Sequence, residues 1–210
     1  MTQLKSRLLV VTDRQQTNGR PLLSVLERVI KAGAPAIQLR ERDLSSRDLL
    51  QFAKEIEALT SSVRSPFLIN DRIDIALMLK DAGVHLRSDS LPPSVARCLL
   101  PVPRLLGISA HSVEETVRAE SDGADYVVLG PIYATPSKQQ FGPPLGLRRM
   151  EEACGKVRIP VIGIGGVTAA RVPELRRAGA YGVAVITAIL SAVEIERATC
   201  ELLDAVSLSF

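Results

Sequence analysis

Gln38, Arg40 and Arg42 alternate along one short stretch, which puts their side chains on the same face of an extended strand. Two guanidiniums on one inward face call for an anion, because buried cations persist only when paired. The partner is either an internal ion-pair ladder with Glu41 or Asp43, or a bound ligand. Those two carboxylates point the other way or lie past the strand, so an anionic ligand is the expectation. Asp71, beside Asn70, is the best hard-cation ligand in the chain, since Mg²⁺ takes one or two carboxylates and completes its shell with water and phosphate oxygens. The alternative for Asp71 is a cap on a helix starting near Ile73.

Two further places suit phosphate. The stretch 131–146 is polar and rich in Gly and Pro, and reads as an ordered loop covering a site. Within it Thr135, Ser137 and Lys138 offer two hydroxyls and an ammonium; the plain alternative is a surface turn. Gly165-Gly166 lets backbone N–H groups approach a ligand without Cβ obstruction, and Ile186-Thr187 opens a helix with free amides, against the alternative of turn geometry alone. Covalent hydrolysis finds no support: His85 and His111 are the only imidazoles, no GxSxG elbow occurs, and the cysteines lack a basic partner. His85, inside Val84-His-Leu86, reads as a hydrogen-bonded core residue, while His111 is open to either role.

Those residues share a position in the chain. Each directly follows, or ends, one of eight short aliphatic runs: 8–11, 36–39, 66–69, 84–86, 105–108, 126–129, 161–164 and 183–186. Between most of them lie segments with apolar residues at helical spacing, such as Leu22, Val25, Leu26 and Val29, and strands alternating with helices mean a parallel sheet. Four segments end in nearly the same words, around Gly33, Gly83, Gly123 and Gly179, where a left-handed glycine would stop a helix. Eight units in 210 residues leave roughly 26 apiece, near the smallest repeat that closes a (β/α)8 barrel. The chain therefore reads as one α/β domain, residues 1–210, a TIM barrel of near minimal length. An open doubly wound sheet is the runner-up, but Gly163-Ile-Gly-Gly-Val-Thr168 ends in Thr where a dinucleotide fingerprint needs Gly.

Composition narrows the class. At 46% hydrophobic and 3% aromatic with no Trp, the core must be built from Leu, Ile, Val and Ala, as barrel interiors are. A net charge of +3, interspersed, is too small for a dedicated nucleic-acid protein. Cys98, Cys154 and Cys200 lie far apart without a CxxC pair, which fits a reducing cytoplasm rather than a disulfide framework or zinc site. No apolar stretch reaches signal or membrane-spanning length. Association into a homo-oligomer is left open.

Taken in order, Gln38-Leu-Arg-Glu-Arg42, Ile69-Asn-Asp-Arg72, Gly83-Val-His-Leu86, Gly107-Ile-Ser-Ala-His111, Gly130-Pro-Ile-Tyr with Thr135-Pro-Ser-Lys138, and Ile164-Gly-Gly-Val167 resemble the thiamine phosphate synthase and TenI family over nearly the whole chain. The resemblance implies a transferase of thiamine biosynthesis that joins an aminopyrimidine methyl diphosphate to a thiazole phosphate and releases diphosphate. It implies that Gln38, Arg40, Arg42, Asn70, Ser109 and Lys138 hold the pyrimidine diphosphate, with Arg40, Arg42, Ser109 and Lys138 acting in catalysis. By the same likeness Asp71 binds Mg²⁺, and Thr135, Ser137, Gly166, Ile186 and Thr187 hold the thiazole phosphate. Two departures stand out. Arg42 replaces the Lys that closes the synthase motif, and Ser90 occupies the place of a second metal carboxylate, with Asp89 next to it as the substitute. Both lean toward the TenI branch, which includes a thiazole tautomerase, with His111 or Glu41 as its proton carrier, and catalytically silent thiazole-phosphate binders.

Overall fold

The aliphatic runs become strands because their side chains are apolar on both faces, as a sheet buried on both sides requires. A computed structural model describes residues 4–135 and 143–208. Its strands are β1 Leu8–Val11, β2 Ala36–Leu39, β3 Phe67–Asn70, β4 Gly83–Leu86, β5 Leu106–Ala110, β6 Tyr126–Leu129, β7 Val161–Ile164 and β8 Gly182–Val185. They pair in parallel in chain order, and β8 closes on β1 with Leu8 opposite Val183 and Val10 opposite Val185. Helices α1 Leu22–Lys31, α2 Ser46–Ser62, α3 Ile73–Leu77, α4 Pro93–Leu99, α5 Val113–Ser121, α6 Gly146–Lys156, α7 Val172–Arg177, α8 Thr187–Leu190 and α9 Ile195–Ser207 follow the strands. The architecture is the (β/α)8 barrel.

Helical spacing does the outer packing. Helix α1 buries Leu22, Val25, Leu26, Val29 and Ile30 along one stripe against the strands. Two helices start on serine caps: Ser45 Oγ accepts from Asp48 N at 3.2 Å, and Ser112 Oγ from Glu115 N at 3.1 Å. Each such cap is worth about 1 kcal/mol. Arg20 ties the first unit of the barrel to the last, donating from Nη1 to Ala192 O at 2.7 Å and from Nη2 to Leu190 O at 2.7 Å, which fixes α8.

A second packed region lies inside the barrel, where alternate residues of the strands point: Leu9, Val11, Ala36, Leu68, Tyr126, Val128, Ile162 and Ala184, joined by Leu4. The one large aromatic there has a reserved space. A Cβ on Gly107 would stand 2.1 Å from Tyr126 Cζ, so β5 must carry glycine opposite the phenol.

Three of the four expected helix-ending glycines have positive φ: Gly33 at 150°, Gly123 at 93° and Gly179 at 88°. The fourth expectation is corrected. Gly83 is the first residue of β4, and a Cβ there would meet Leu105 O at 2.6 Å, so it is glycine to let β4 and β5 approach. Among the described residues no helix is long and apolar enough to cross a membrane.

Candidate active site

The open end of the barrel, where β-strands finish, gathers polar side chains that successive strands carry at the same level. Gln38, in the interior of β2, is buried and donates from Nε2 to Asn70 Oδ1, at the end of β3, at 3.0 Å. Asn70 is the register partner of His85 in β4. His85 bonds through Nε2 to Ser109 Oγ of β5 at 2.9 Å and through Nδ1 to the Tyr126 hydroxyl of β6 at 3.0 Å. Five consecutive strands thus contribute to a polar layer directly above the apolar lumen. Burial pushes His85 down to about 3, so it is neutral, and burial raises Tyr126 above its ordinary value.

Arg40 follows on the same face as Gln38, and its backbone N–H donates to Thr12 Oγ1 at 2.9 Å. Its guanidinium is held below its ordinary range, first by burial and then by the charge of Arg42. The ion-pair ladder that could have explained both arginines is not formed. Glu41 is buried and turned away, accepting from the Arg14 amide at 3.1 Å and from Arg14 Nη1 at 3.2 Å, while Asp43 takes the same guanidinium. Glu41, the residue named as a proton carrier, thus has its carboxylate on Arg14. Arg42 is exposed beside the mouth.

Asp71 lies just past β3 with φ at 61°, and it does not cap α3: the cap position is Arg72, with no side-chain capping bond. The helix-cap alternative is therefore set aside. Its carboxylate faces the end of β4, with Arg87 N 3.5 Å from Oδ1 and Arg87 Nε 3.8 Å from Oδ2. Asp71 and Ser90 line one cavity of about 320 Å³ with Ile73, Leu77, Leu91 and Leu99. Asp89, the substitute carboxylate, instead takes the Arg87 guanidinium, with Nε 2.8 Å from its Oδ1, and that contact holds it below the usual carboxylate range. Arg87, directly after β4 in the loop carrying Ser90, is the residue to which sequence alone gives no role. Among the described residues no group of three or more His, Cys, Asp or Glu side chains forms a metal cluster.

On the opposite side of the mouth, Gly165 and Gly166 adopt φ of 96° and 64°. A Cβ on Gly166 would stand 2.8 Å from Tyr133 Cβ and 2.9 Å from Ala134 O, so the glycine loop and the segment leading to Thr135 touch. Arg171 clamps them, donating from Nη1 to Gly166 O at 2.6 Å while its guanidinium carbon lies 4.5 Å from the Tyr133 ring centroid. Ile186 and Thr187 start α8 at the end of β8, where first-turn amides have no partner within the helix. Ser137 and Lys138 lie outside the described residues. His111 is exposed, with Nδ1 on Gly130 O at 2.7 Å.

Residues 8–189 match the family model described as thiamine monophosphate synthase. The chain is 40% identical over 195 residues to a thiamine-phosphate synthase of Roseiflexus castenholzii, covering 93% of this chain and 86% of the relative. It is 40% identical over 200 residues to one of Moorella thermoacetica, covering 95% of each. Among solved structures, thiamine phosphate pyrophosphorylase from Pyrococcus furiosus superposes with a TM-score of 0.88 at 32% identity, over 97% of this chain and 96% of that one. A 3-hexulose-6-phosphate synthase, at 18% identity and a TM-score of 0.71, shares the fold. The chain belongs to the thiamine monophosphate synthase family.

Proposed function

We propose that this protein is a thiamine phosphate synthase, joining an aminopyrimidine methyl diphosphate to a thiazole phosphate and releasing diphosphate. The observation that carries the reading is the convergence, on one barrel mouth, of the Gln38–Asn70 pair, Ser109, and the half-buried Arg40 with no ion pair among the described residues. Facing them is a glycine loop that a Cβ would obstruct. Here Gln38, Asn70 and Ser109 orient the pyrimidine, and Arg40, Arg42 and Lys138 meet its diphosphate. The backbone at Gly166, Ile186 and Thr187, with Thr135 and Ser137, holds the thiazole phosphate.

In this reading the C–O bond to diphosphate breaks heterolytically, and the thiazole nitrogen lone pair forms the new C–N bond to the pyrimidine methylene. Negative charge grows on the leaving group, so fixed guanidiniums beside it lower the barrier. The second phosphate site holds the nucleophile in line and supplies proximity. No side-chain nucleophile is needed.

The donor set at Asp71 fits Mg²⁺ bound mostly by substrate oxygens and water: one carboxylate at a strand end, with Ser90 and the Arg72-paired Asp74 on the same cavity. When bound, such an ion would neutralise charge on the departing diphosphate. A second reading, thiazole tautomerase or a silent thiazole-phosphate binder, is favoured by the pairing of the nearby carboxylates, Asp71 and Asp89 with Arg87 and Asp74 with Arg72. Mg²⁺ dependence separates them, because a synthase needs the ion and loses turnover in Asp71→Asn, while a tautomerase is indifferent to both. A cytoplasmic setting is part of the proposal, and the three free thiols fit a reducing compartment.

A further inference from the structure

The reaction above leaves two buried polar side chains without a role. Tyr126 is fully buried, and among the described residues its hydroxyl has one hydrogen-bond partner, His85 Nδ1 at 3.0 Å. The phenol cannot swing elsewhere, because it fills the space that Gly107 leaves open. His85, 2% exposed, reaches Ser109 Oγ with its other nitrogen at 2.9 Å. Ser109 alone of the three is partly open to the mouth.

The direction of these bonds follows from counting protons. If His85 carried its hydrogen on Nδ1, it would donate to Tyr126, and the phenol proton would be stranded in the apolar lumen with no acceptor. A doubly protonated imidazole strands it equally. If the hydrogen sits on Nε2, Tyr126 donates to Nδ1, His85 donates to Ser109, and the only proton left over belongs to Ser109. A missing hydrogen bond is costly in the dry interior and cheap where water or ligand can accept. The Nε2 tautomer is the arrangement that places the unmatched proton at the wet end.

We infer that Tyr126 and His85 form a relay that fixes Ser109 as a hydrogen-bond donor, so that the ligand atom facing Ser109 must be an acceptor, an unprotonated ring nitrogen or a phosphate oxygen. Tyr126 and His85 are positioning residues, acting on the ligand through Ser109. The ligand half of this inference rests on the proposed function; the tautomer half rests on the geometry alone.

The test uses the full chain with nitrogen-15-labelled histidine, and His111→Gln assigns the two imidazoles by NMR. The relay requires a bare Nδ1 and a protonated Nε2 on His85; a proton on Nδ1, or on both nitrogens, overturns it. Steady-state kinetics then compares Tyr126→Phe, Ser109→Ala and the double variant. Tyr126→Phe raises KM for the pyrimidine diphosphate by roughly fivefold, the worth of one net hydrogen bond, with less effect on kcat. In the Ser109→Ala background the same change adds nothing. An equal penalty in both backgrounds would mean that Tyr126 merely packs, and would overturn the relay. The correct tautomer in a protein without synthase turnover upholds the relay while removing the proposed function. Replacing inorganic diphosphate by the aminopyrimidine alcohol as the bound probe shows which acceptor Ser109 meets: the one whose affinity falls in Ser109→Ala.

Discussion

Arg87 Nε stands 3.8 Å from Asp71 Oδ2 and 2.8 Å from Asp89 Oδ1, so one guanidinium sits between two carboxylates at the end of β4. A metal ion approaching Asp71 therefore competes with a cation the chain itself supplies. Arg87→Ala removes that competitor. The Mg²⁺ concentration for half-maximal activity should fall by roughly two- to fivefold, the scale of an exposed ion pair. A Mg²⁺ titration of the variant checks it, and a higher requirement would show that Arg87 assists the ion instead.

Asp71 is held at a φ of 61°, a conformation that Asn accepts at least as readily as Asp and Ala accepts poorly. Asp71→Asn should accordingly keep the fold and its Tm while kcat/KM drops by roughly a hundredfold or more, as expected when charge stabilisation at a reacting centre is lost. Asp71→Ala should add a stability loss of about 1 kcal/mol from backbone strain. Thermal melts beside rate measurements separate the two effects.

Gly166→Ala places a methyl against Tyr133 Cβ and Ala134 O and disfavours the left-handed backbone at φ 64°. The glycine loop must shift away from the segment before Thr135. KM for the thiazole phosphate should rise at least tenfold, on the order of 1–3 kcal/mol of strain, while KM for the pyrimidine diphosphate stays within a factor of about two.

His85 titrates at about 3 in the folded chain against an ordinary 6.5, because burial penalises its charged form. A group with a depressed folded pKa binds more protons unfolded than folded between those two values. Its contribution is fully present above 6.5 and is lost as pH falls toward 3. Unfolding free energy from urea titrations should decline by up to about 1.4 kcal/mol per pH unit across that window, and His85→Gln should flatten the slope.

Much of the barrel could be read in advance because its strands are short and apolar on both faces. The bounds of β1, β2, β6 and β7 coincide with their aliphatic runs. Gly83 misled because helix-ending and strand-crowding glycines look alike in one dimension; only the distance to Leu105 O tells them apart. Residues on one strand or directly after it, such as Gln38 and Arg40, are legible from alternation. The Tyr126–His85–Ser109 layer is not, since its members are 41 and 24 positions apart and meet only when β4, β5 and β6 align. Arg87 receives no role from sequence because a cation in a loop declares its partners only in three dimensions.

The most direct measurement mixes the purified protein with the aminopyrimidine methyl diphosphate, the thiazole phosphate and Mg²⁺, and follows both products. Thiamine phosphate and diphosphate should appear in equal amounts, and the reaction should stop when either substrate or Mg²⁺ is withheld. Isomerised thiazole phosphate with no diphosphate released, or no product at all, would contradict the account.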